Sequence, residues 1–401
     1  MQSARWYCAS GAKTRRIAGR RPDLLSGTSG VWMIVGLFTN LNPVGGVQLA
    51  GRHTAAVLAR LAAERKWETR FLSLNDAAGE HELNVAGVAV RFTGFGQSRR
   101  RFTTRAVGLA RDARIVVAGH PHLAVPASAM KARSRKFCLV VQSHGIEVWK
   151  PMSALRGICL RRSDIVTAPS RYTAEKLRDI RRLPEAKIRI CPWGLDPGFL
   201  EMATRAPQFS LPDKIPNSPY VLAVGRWASA ERYKGFDTLI RVLPVLLRET
   251  PNLQLVFIGD GDDRPSLEAL AKEARVQERV HFVSGISREQ LVAYYAGAEL
   301  FALPSSGEGF GLVFLEAMAM GKAVVGGNHG GIPDIIEEGI TGFLVAHGDE
   351  EQLSAKLNLL LRDQALREEM GRRGRDRVVQ KFTFGNFEAQ LREILTNACD
   401  Q

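Results

Sequence analysis

The chain has 401 residues, of which 45% are apolar and 24% charged, a composition typical of a globular protein with room for two domains. No apolar run approaches the roughly 20 residues that a membrane-spanning helix needs. The five cysteines are scattered without a CxxC pair, which argues against a metal-binding cysteine motif and favours a reduced, cytoplasmic setting. Residues 31–216 carry 29 Lys and Arg against 14 acids, whereas residues 217–401 carry 20 against 26, so an anionic partner is expected for the first half.

Residues 1–30 are polar and Arg-rich without an apolar core segment, and we interpret them as a disordered extension or a mis-assigned start; a transit peptide remains open. The first strand is predicted at Val31–Phe38. A loop containing Gly45 and Gly46 and a helix over Gln48–Glu64 follow it. Paired glycines at a helix start let the backbone approach a ligand closely, although alone they are a weak signal.

Apolar runs and helical patterns then alternate, which predicts a parallel sheet covered by helices on both faces. Further strands are expected at 69–74, 85–92, 114–119, 137–142, 164–168 and 187–191, and helices at 98–112, 121–132, 152–161 and 170–181. Such sheets bind ligands at the carboxyl ends of their strands. His144 follows one predicted strand and lies next to Gly145 and Glu147, so it is a candidate site residue, and His120 and His122 after another strand are a second candidate. Without a third ligand nearby, we do not interpret these histidines as metal ligands.

The stretch Arg99–Arg105 is basic and is followed by further interleaved apolar residues as far as Leu109. It is either a surface for an anionic membrane or a solvated helix face. Four prolines within Pro207–Pro219 indicate a linker, so an N-terminal domain is predicted at 31–210 and a C-terminal domain at 217–382.

The second half repeats the alternation. Strands are expected at 220–224, 253–258, 280–283, 300–303, 323–325 and 342–345, and helices at 236–249, 264–274, 288–296, 311–320, 350–361 and 365–398, with a break near 382. In the loop after its first strand, Arg226 and Lys234 could both reach one diphosphate, or could be ordinary surface residues. Asp260, Asp262 and Asp263 follow the next strand; we favour helix capping over metal binding for these acids.

The most informative stretch is Ser305–Ala319, SSGEGFGLVFLEAMA. A buried strand, a Gly-rich loop and a helix beginning near Gly311 together predict an anion site, because free N–H groups and the helix dipole face the ligand. Glu308 and Glu316 stand eight positions apart beside it. A phosphate at one end of the ligand and hydroxyl groups at the other are therefore expected.

Taken in order, the motifs HGIEVW, GRWASAERYKG, PSSGEGFGLVFLEAMAMGKAVV and GGIPDIIEEGITGFLV resemble a retaining glycosyltransferase of the GT-B group known as family 4. The resemblance covers about residues 31–398. It implies an α/β fold of two Rossmann-like domains facing each other across a cleft, with residues 383–401 forming a helix that returns to the N-terminal domain. It also implies transfer of a sugar from a nucleotide-sugar donor to a glycan or lipid-linked acceptor, in cell-surface polysaccharide or glycolipid biosynthesis.

The resemblance assigns roles residue by residue. It implies that Arg226 and Lys234 neutralise the donor's diphosphate, that Glu316 binds the ribose hydroxyls and that Glu308 lies near the transferred sugar. The remaining positions that it implies are the Phe310-Gly311-Leu312 backbone along the donor, the Gly45-Gly46 loop over the diphosphate and His144 at the sugar. Family members usually have Glu where this chain has Asp334, which leaves the role of Asp334 open.

These roles agree with the expected chemistry. Negative charge builds on the departing diphosphate, and fixed cations and helix N-termini stabilise it without a metal or cofactor. In the resembled enzymes the departing phosphate helps to deprotonate the acceptor, so no general base is assigned. A sugar-nucleotide epimerase, a phosphorylase and a non-catalytic membrane-binding or nucleic-acid-binding relative remain alternatives. The expected location is cytoplasmic, at the inner face of the membrane if the Arg99–Arg105 stretch binds lipid; nucleic acid is not an expected partner.

Overall fold

The computed structural model describes residues 32–42, 45–205 and 218–399. The predicted extension at 1–30 and most of the predicted linker, 207–217, lie outside the described residues. The described chain divides into two compact units. Of the described residues, the N-terminal unit contains those up to Gly194 together with the C-terminal helix from Phe384, and the C-terminal unit contains those between Leu195 and Thr383.

The described strands of the N-terminal unit form one sheet. They are β1 (Met33–Phe38), β2 (Glu68–Ser73), β3 (Gly79–Val85), β4 (Val88–Gly94), β5 (Ala113–Ala118), β6 (Cys138–Gln142), β7 (Ile165–Ala168) and β8 (Ile188–Ile190). Their order is β3-β4-β2-β1-β5-β6-β7-β8, and every neighbouring pair is parallel except β3 with β4.

The strand predicted at 85–92 is present in part as β4, but the prediction misses the hairpin turn that precedes this strand. Ala86 and Gly87 have φ values of 50° and 79°, and two such residues make a tight turn that joins β3 to β4. Strand β3 was missed because its residues are half exposed and polar at an edge of the sheet, so it lacks the continuous apolar run of the buried strands.

Helices cover both faces of this sheet. They are α1 (Gly46–Arg65), α2 (Arg99–Gly108), α3 (Ala124–Arg133), α4 (Ile146–Trp149), α5 (Ala154–Arg161), α6 (Arg171–Asp179) and, after the other unit, α15 (Phe384–Cys399). Helices α1 and α15 share one apolar cluster, while α2, α3, α5 and α6 contribute to the other. The final helix packs on α1, where Arg392 binds Glu64 at 2.6 Å and the Phe384 ring lies 4.9 Å from the His53 ring. No helix within the described ranges is long and apolar enough to cross a membrane.

The C-terminal unit contains a second sheet. Its strands are β9 (Tyr220–Val224), β10 (Gln254–Ile258), β11 (Val280–Val283), β12 (Leu300–Leu303), β13 (Val324–Gly327) and β14 (Gly342–Val345), in the order β11-β10-β9-β12-β13-β14, all parallel. Its helices are α7 (Pro197–Thr204), α8 (Phe236–Glu249), α9 (Arg264–Glu273), α10 (Arg288–Gly297), α11 (Leu312–Ala319), α12 (Ile332–Ile335), α13 (Glu350–Arg362) and α14 (Gln364–Lys381). The predicted pair of Rossmann-like α/β domains is thereby confirmed.

Helix α7 lies in the C-terminal unit, whereas the composition-based limit at residue 210 put it in the N-terminal domain. Phe199 is 1% exposed, with its ring 6.2 Å from the Tyr295 ring, and Asp196 binds Arg288 at 3.0 Å. The proline-rich segment follows this helix in the chain, so the boundary between the two units comes before it, at Leu195.

In each sheet there is one strand from which successive strands are added first on one side and then on the other. Strand β1 lies between β2 and β5, and strand β9 lies between β10 and β12. Loops leaving the carboxyl ends of adjacent strands diverge at such a point and leave a crevice for a ligand. In the C-terminal unit these loops are 225–235, 259–263 and 304–311.

Candidate functional site

The loop between β9 and α8 carries the two cations singled out in the sequence. Lys234 Nζ lies 2.6 Å from Glu308 Oε1, and the two side chains are only 12% and 17% exposed. Arg226 is 58% exposed and binds Glu231, whose other carboxylate oxygen lies 3.9 Å from Lys234 Nζ. The structure therefore brings Arg226, Lys234 and Glu308 into one chain of charges, linked by a carboxylate that sequence reasoning missed.

Glu231 was overlooked because its position within the loop carries no motif. Its spacing, five residues after Arg226 and three before Lys234, is the signal that could have found it. A carboxylate between two cations neutralises part of their charge and restrains both side chains. An incoming diphosphate would have to compete with Glu231 for Arg226 and with Glu308 for Lys234.

The acids after β10 anchor this loop. Asp262 accepts hydrogen bonds from the Ser229 amide and hydroxyl at 2.8 Å each, and Asp263 holds Arg232 through both carboxylate oxygens. Asp263 occupies the N-cap position of α9, but its side chain makes no capping hydrogen bond. The capping prediction is wrong for this residue because the guanidinium of Arg232 is a stronger partner than a backbone amide. Within the described part of the chain, no group of three or more His, Cys, Asp or Glu side chains is placed to hold a metal ion.

The Glu308 loop packs closely on the Lys234 loop. The Ser306 amide donates to the Tyr233 carbonyl at 2.8 Å, and a Cβ on Gly307 would lie 2.6 Å from the Tyr233 ring. The Glu308 carbonyl accepts from the Gly331 amide at 2.8 Å. Small residues are thus required where three loops meet, and the contacts fix the backbone that presents Glu308 to Lys234.

Helix α11 begins directly after this loop. Gly311 has a φ of 105°, a conformation that residues with a side chain rarely adopt, and it precedes Leu312, the first helical residue. The amides of a first helical turn lack partners within the helix and carry the positive end of its dipole. Phe310 is 1% exposed, so the Phe310-Gly311-Leu312 segment can offer backbone rather than the Phe310 ring to a ligand.

Glu316 lies one turn into the same helix and is partly buried. Tyr295 donates its hydroxyl to Glu316 Oε2 at 2.9 Å. Burial raises the pKa of Glu316 to about 7, while the Tyr295 hydrogen bond and the charge of Arg288 act in the opposite direction. Tyr295 and Arg288 lie on α10 without a motif, so sequence reasoning missed both. Asp334, on α12, is partly buried, and its backbone carbonyl accepts from Arg377 at 3.0 Å, which leaves the role of its carboxylate open.

In the N-terminal unit, Gly45 and Gly46 stand at the start of α1, after a loop held by buried polar contacts. Asp76 is 5% exposed and accepts from the Leu41 amide at 2.6 Å and from the Ser73 hydroxyl at 2.6 Å. Arg52 donates to the Leu41 carbonyl. Sequence reasoning missed Asp76 and Arg52, which position the glycine loop from outside it.

His144 lies at the carboxyl end of β6 and is 5% exposed. Its Nε2 is 2.7 Å from the Gly119 carbonyl, so Nε2 carries the proton and Nδ1 presents a lone pair. Nδ1 is buried and has no partner among the described residues. Burial lowers the pKa of His144, although the charge of Glu147 opposes this, so the ring is neutral and Nδ1 can accept a hydrogen bond.

The other two histidines of the sequence prediction lie beside His144. The His120 ring centroid is 5.4 Å from that of His144 and 4.4 Å from that of His122. His120 Nδ1 accepts from the His122 amide at 3.1 Å, which makes Nε2 its proton-bearing nitrogen. Burial and the neighbouring His144, His122 and Arg156 lower the pKa of His120 to about 2.

The basic stretch Arg99–Arg105 begins α2. Its arginines, Arg99, Arg100, Arg101 and Arg105, are exposed, but Phe102 is 1% exposed and Leu109, just beyond the helix, is 7% exposed. These two interleaved apolar residues belong to the domain core. The exposed face of this helix is therefore charged. Phe102 and Leu109 are buried in the core, so they cannot insert into a lipid layer.

Each domain thus gathers its own part of the predicted site at the carboxyl edge of a parallel sheet. The fold of this chain recurs in known structures. The Anabaena protein Alr3699/HepE, solved in complex with UDP, matches with a TM-score of 0.74 and 19% identity over 91% of this chain and 99% of that chain. The chain therefore has the GT-B glycosyltransferase fold.

Family models extend this assignment from the fold to the sequence. Residues 45–199 match the model for Glycosyltransferase Family 4, and residues 209–377 match that for Glycosyl transferases group 1. A GDP-mannose-dependent alpha-(1-6)-phosphatidylinositol monomannoside mannosyltransferase of Mycolicibacterium smegmatis is 33% identical over 67% of this chain and 72% of its own length. The sulfoquinovosyl transferase SQD2 of Arabidopsis thaliana is 32% identical over 57% of this chain and 43% of its own. The chain belongs to the group 1 glycosyltransferases, family 4, and is a glycosyltransferase.

Proposed function

We propose that this enzyme transfers a sugar from a nucleotide-sugar donor to a lipid-linked acceptor, with retention of configuration at the sugar carbon, in glycolipid or cell-surface polysaccharide biosynthesis. The observation that carries the proposal is the Lys234–Glu308 pair at the start of α11, in a member of this glycosyltransferase family. A mostly buried cation and carboxylate beside the N-terminus of a helix suit a ligand with phosphates at one end and sugar hydroxyls at the other.

We propose for the donor the roles that the family resemblance implies, and the short distance between Lys234 and Glu308 supports them. Lys234 and Arg226 bind the diphosphate, so Glu308 leaves Lys234 and turns to a hydroxyl of the transferred sugar. Glu316 binds the ribose hydroxyls, and the Phe310-Gly311-Leu312 backbone lies along the phosphates. As the bond between the sugar carbon and the phosphate oxygen breaks, the cations and the helix dipole stabilise the negative charge on the departing diphosphate.

The N-terminal roles rest on the loop at β1 and on His144. The Gly45-Gly46 backbone approaches the diphosphate, and His144 Nδ1 accepts a hydrogen bond from a sugar hydroxyl, which satisfies that buried nitrogen. The acceptor hydroxyl loses its proton to the departing phosphate. Because Arg226 and Lys234 supply the positive charge, we expect transfer to persist in EDTA.

The relatives' names support a lipid acceptor, since the Mycolicibacterium enzyme is named for phosphatidylinositol monomannoside. We further propose that the exposed arginines of α2 bring the enzyme to the anionic inner face of the membrane through charge alone, since Phe102 is buried. Co-sedimentation with anionic vesicles should then weaken steeply as salt rises.

The central test is a panel of nucleotide sugars, read as thermal stabilisation and then as product formation. A donor at 100 times its Kd should stabilise the protein by about 2.7 kcal/mol. The anomeric configuration of the product, read by proton NMR, tests retention. Unchanged transfer by Glu308→Ala would overturn the site assignment, and failure of every nucleotide sugar to bind would overturn the function.

A further inference from the structure

Tyr295 lies on α10 with its side chain completely buried, and its hydroxyl faces helix α11. The residue is 0% exposed, and its ring packs edge-on against the Phe199 ring at 6.2 Å and beside the Phe301 ring at 6.0 Å. The hydroxyl lies 2.9 Å from Glu316 Oε2 and 3.4 Å from the Val313 carbonyl. Two aromatic rings thus hold the phenol against the carboxylate that is proposed to bind the ribose.

The packing around Tyr295 is reinforced by charged groups. Asp196 accepts from the Phe199 amide at 3.1 Å and pairs with Arg288 at 3.0 Å. The guanidinium of Arg288 also lies 5.8 Å from the centroid of the Phe199 ring. Arg288 and Tyr295 are two turns apart on α10. Contacts other than the one with Glu316 therefore fix the position of the tyrosine hydroxyl.

The contact with Tyr295 leaves most of the Glu316 carboxylate open. An ionised carboxylate has about four lone-pair sites, and the tyrosine hydroxyl uses one of them, on Oε2. Glu316 Oε1 has no hydrogen-bond partner among the described residues, and the residue is only partly buried. The remaining sites can therefore accept from the two neighbouring hydroxyl groups of a ribose, provided that the carboxylate keeps its orientation.

We propose that Tyr295 is a positioning residue for the nucleotide, because its hydroxyl holds Oε2 of Glu316 and so presents the rest of the carboxylate to the ribose hydroxyls. This inference rests on the proposed function, since it takes Glu316 as the ribose ligand. Without the phenol, the carboxylate can rotate about its terminal bond, whose torsional preference is broad. Nucleotide binding would then lose a preorganised acceptor.

The same hydrogen bond favours the ionised carboxylate, which is the form that accepts from two hydroxyl groups. Burial raises the pKa of Glu316 to about 7, and the bond from Tyr295 acts against this rise. Two charges also act on Glu316: Arg288 on α10 favours the ionised form, and Asp196 before α7 opposes it. Helix α14 also packs on α11, through the uncharged Gly374. Loss of the tyrosine hydroxyl should therefore raise this pKa further.

The first experiment measures the carboxylate without a ligand. The full chain is labelled with carbon-13 at the glutamate side-chain carboxyls and titrated by NMR, with the Glu316 signal assigned from Glu316→Gln. We expect the midpoint to be about one pH unit higher in Tyr295→Phe, the effect of one charge-assisted hydrogen bond. Tyr220→Phe is the matched control. Tyr220 is 1% exposed and donates its hydroxyl to the Tyr294 carbonyl at 2.6 Å, so this variant loses a buried hydrogen bond that does not involve Glu316.

The second experiment measures nucleotide binding by calorimetry, with UDP and GDP as probes. At pH 9, where the carboxylate is ionised in every protein, the tighter probe should bind Tyr295→Phe about twofold or more weakly, because the carboxylate is no longer oriented. At pH 7 the loss should be about fivefold larger, because a midpoint raised by one unit leaves about a tenth of Glu316 ionised instead of half. Tyr220→Phe should bind like the wild type at both pH values.

An equal carboxyl midpoint in Tyr295→Phe and the wild type would refute the proposal, and so would equal nucleotide affinities in Tyr295→Phe and Tyr220→Phe. Failure of the proposed function gives a different result. In that case Glu316→Gln binds both nucleotides as the wild type does, or neither nucleotide binds at all, while the carboxyl midpoint still shifts in Tyr295→Phe. Denaturant unfolding of the two phenylalanine variants separates a loss of stability, which both should show, from the loss of affinity expected for Tyr295→Phe alone.

Discussion

The donor loops of the C-terminal domain lie at the carboxyl edge of a parallel sheet. The histidine surface of the N-terminal domain, formed by His120, His122 and His144, lies at the carboxyl edge of the other sheet, and its charges are arranged differently. Lys234 is paired with Glu308, and Arg226 with Glu231. Arg156 and Arg99 have no such partner within the described residues. One region holds its cations in ion pairs, and the other leaves them open beside neutral imidazoles.

This difference in ion pairing determines whether an anion must displace a carboxylate when it binds. A ligand at the donor loops has to displace a carboxylate, so its affinity reflects a competition between two anions for one cation. An anion that bound Arg156 or Arg99 would not have to break an ion pair. A paired site also rejects weak anions that cannot displace the carboxylate, which suits a loop that must select a diphosphate.

The largest effect is expected from Lys234→Ala. Removing this cation takes away charge stabilisation of the departing diphosphate and leaves Glu308 unpaired, so kcat/KM should fall by roughly 10²–10³. The exposed Lys272→Ala on α9 is the matched control and should transfer normally. Steady-state kinetics with the donor found in the panel check this, and a loss below about tenfold would show that Lys234 does not carry the diphosphate charge.

The second prediction concerns stability and the neutral histidines. The pKa of His120 is lowered to about 2, so the folded state cannot take up the proton that the unfolded chain binds below its ordinary pKa. Its stabilising contribution is present above about pH 6.5 and is lost as pH falls toward 2. At pH 5 the loss should be about 1–2 kcal/mol relative to pH 8.

The comparison variant is His120→Asn, whose amide oxygen can still accept from the His122 amide. Denaturant unfolding at pH 5 and pH 8 should show a smaller difference between the two pH values for this variant than for the wild type. His122, His144 and Arg156 face His120 and are unchanged in both proteins. An equal pH dependence of the two proteins would mean that His120 titrates normally.

The sequence predicts some of the strands and site residues of the two domains, but not all of them. The strands Tyr220–Val224 and Leu300–Leu303 were predicted at their observed limits because continuous apolar runs mark buried parallel strands. Motifs singled out Lys234 and Glu308 as site residues, but the ion pair between them was not predicted. Glu231 was not found, because it lies in a loop whose shape depends on tertiary packing. Tyr295 was not found either, because its partner Glu316 is 21 residues away in the chain. Asp263 shows the limit of local rules, since a long-range arginine replaced the helix cap that its position predicts.

The third prediction uses the raised pKa of Glu316. If ribose hydroxyls bind its ionised form, the nucleoside diphosphate affinity should be constant above about pH 8 and should fall by about tenfold by pH 6, one unit below the pKa of about 7. Calorimetric titration from pH 6 to pH 8 measures this. The Glu316→Gln variant should bind nucleoside diphosphate more weakly at every pH from 6 to 8. Any pH dependence that remains in this variant comes from titration of the ligand's phosphate group. Parallel pH profiles in the two proteins would remove Glu316 from nucleotide binding.

The smallest effect tests the competition itself. Glu308→Gln keeps the shape of the side chain and removes the charge that holds Lys234, so nucleoside diphosphate should bind several-fold more tightly while sugar transfer slows. A gain of this size corresponds to about 1 kcal/mol, the range of a partly exposed ion pair. Glu268→Gln, an exposed acid on α9, controls for the change in net charge. If Glu308→Gln binds the nucleotide no more tightly than the control, the ion pairs of the donor loops do not oppose ligand binding. The difference between these paired cations and the unpaired Arg156 and Arg99 would then have no effect on affinity.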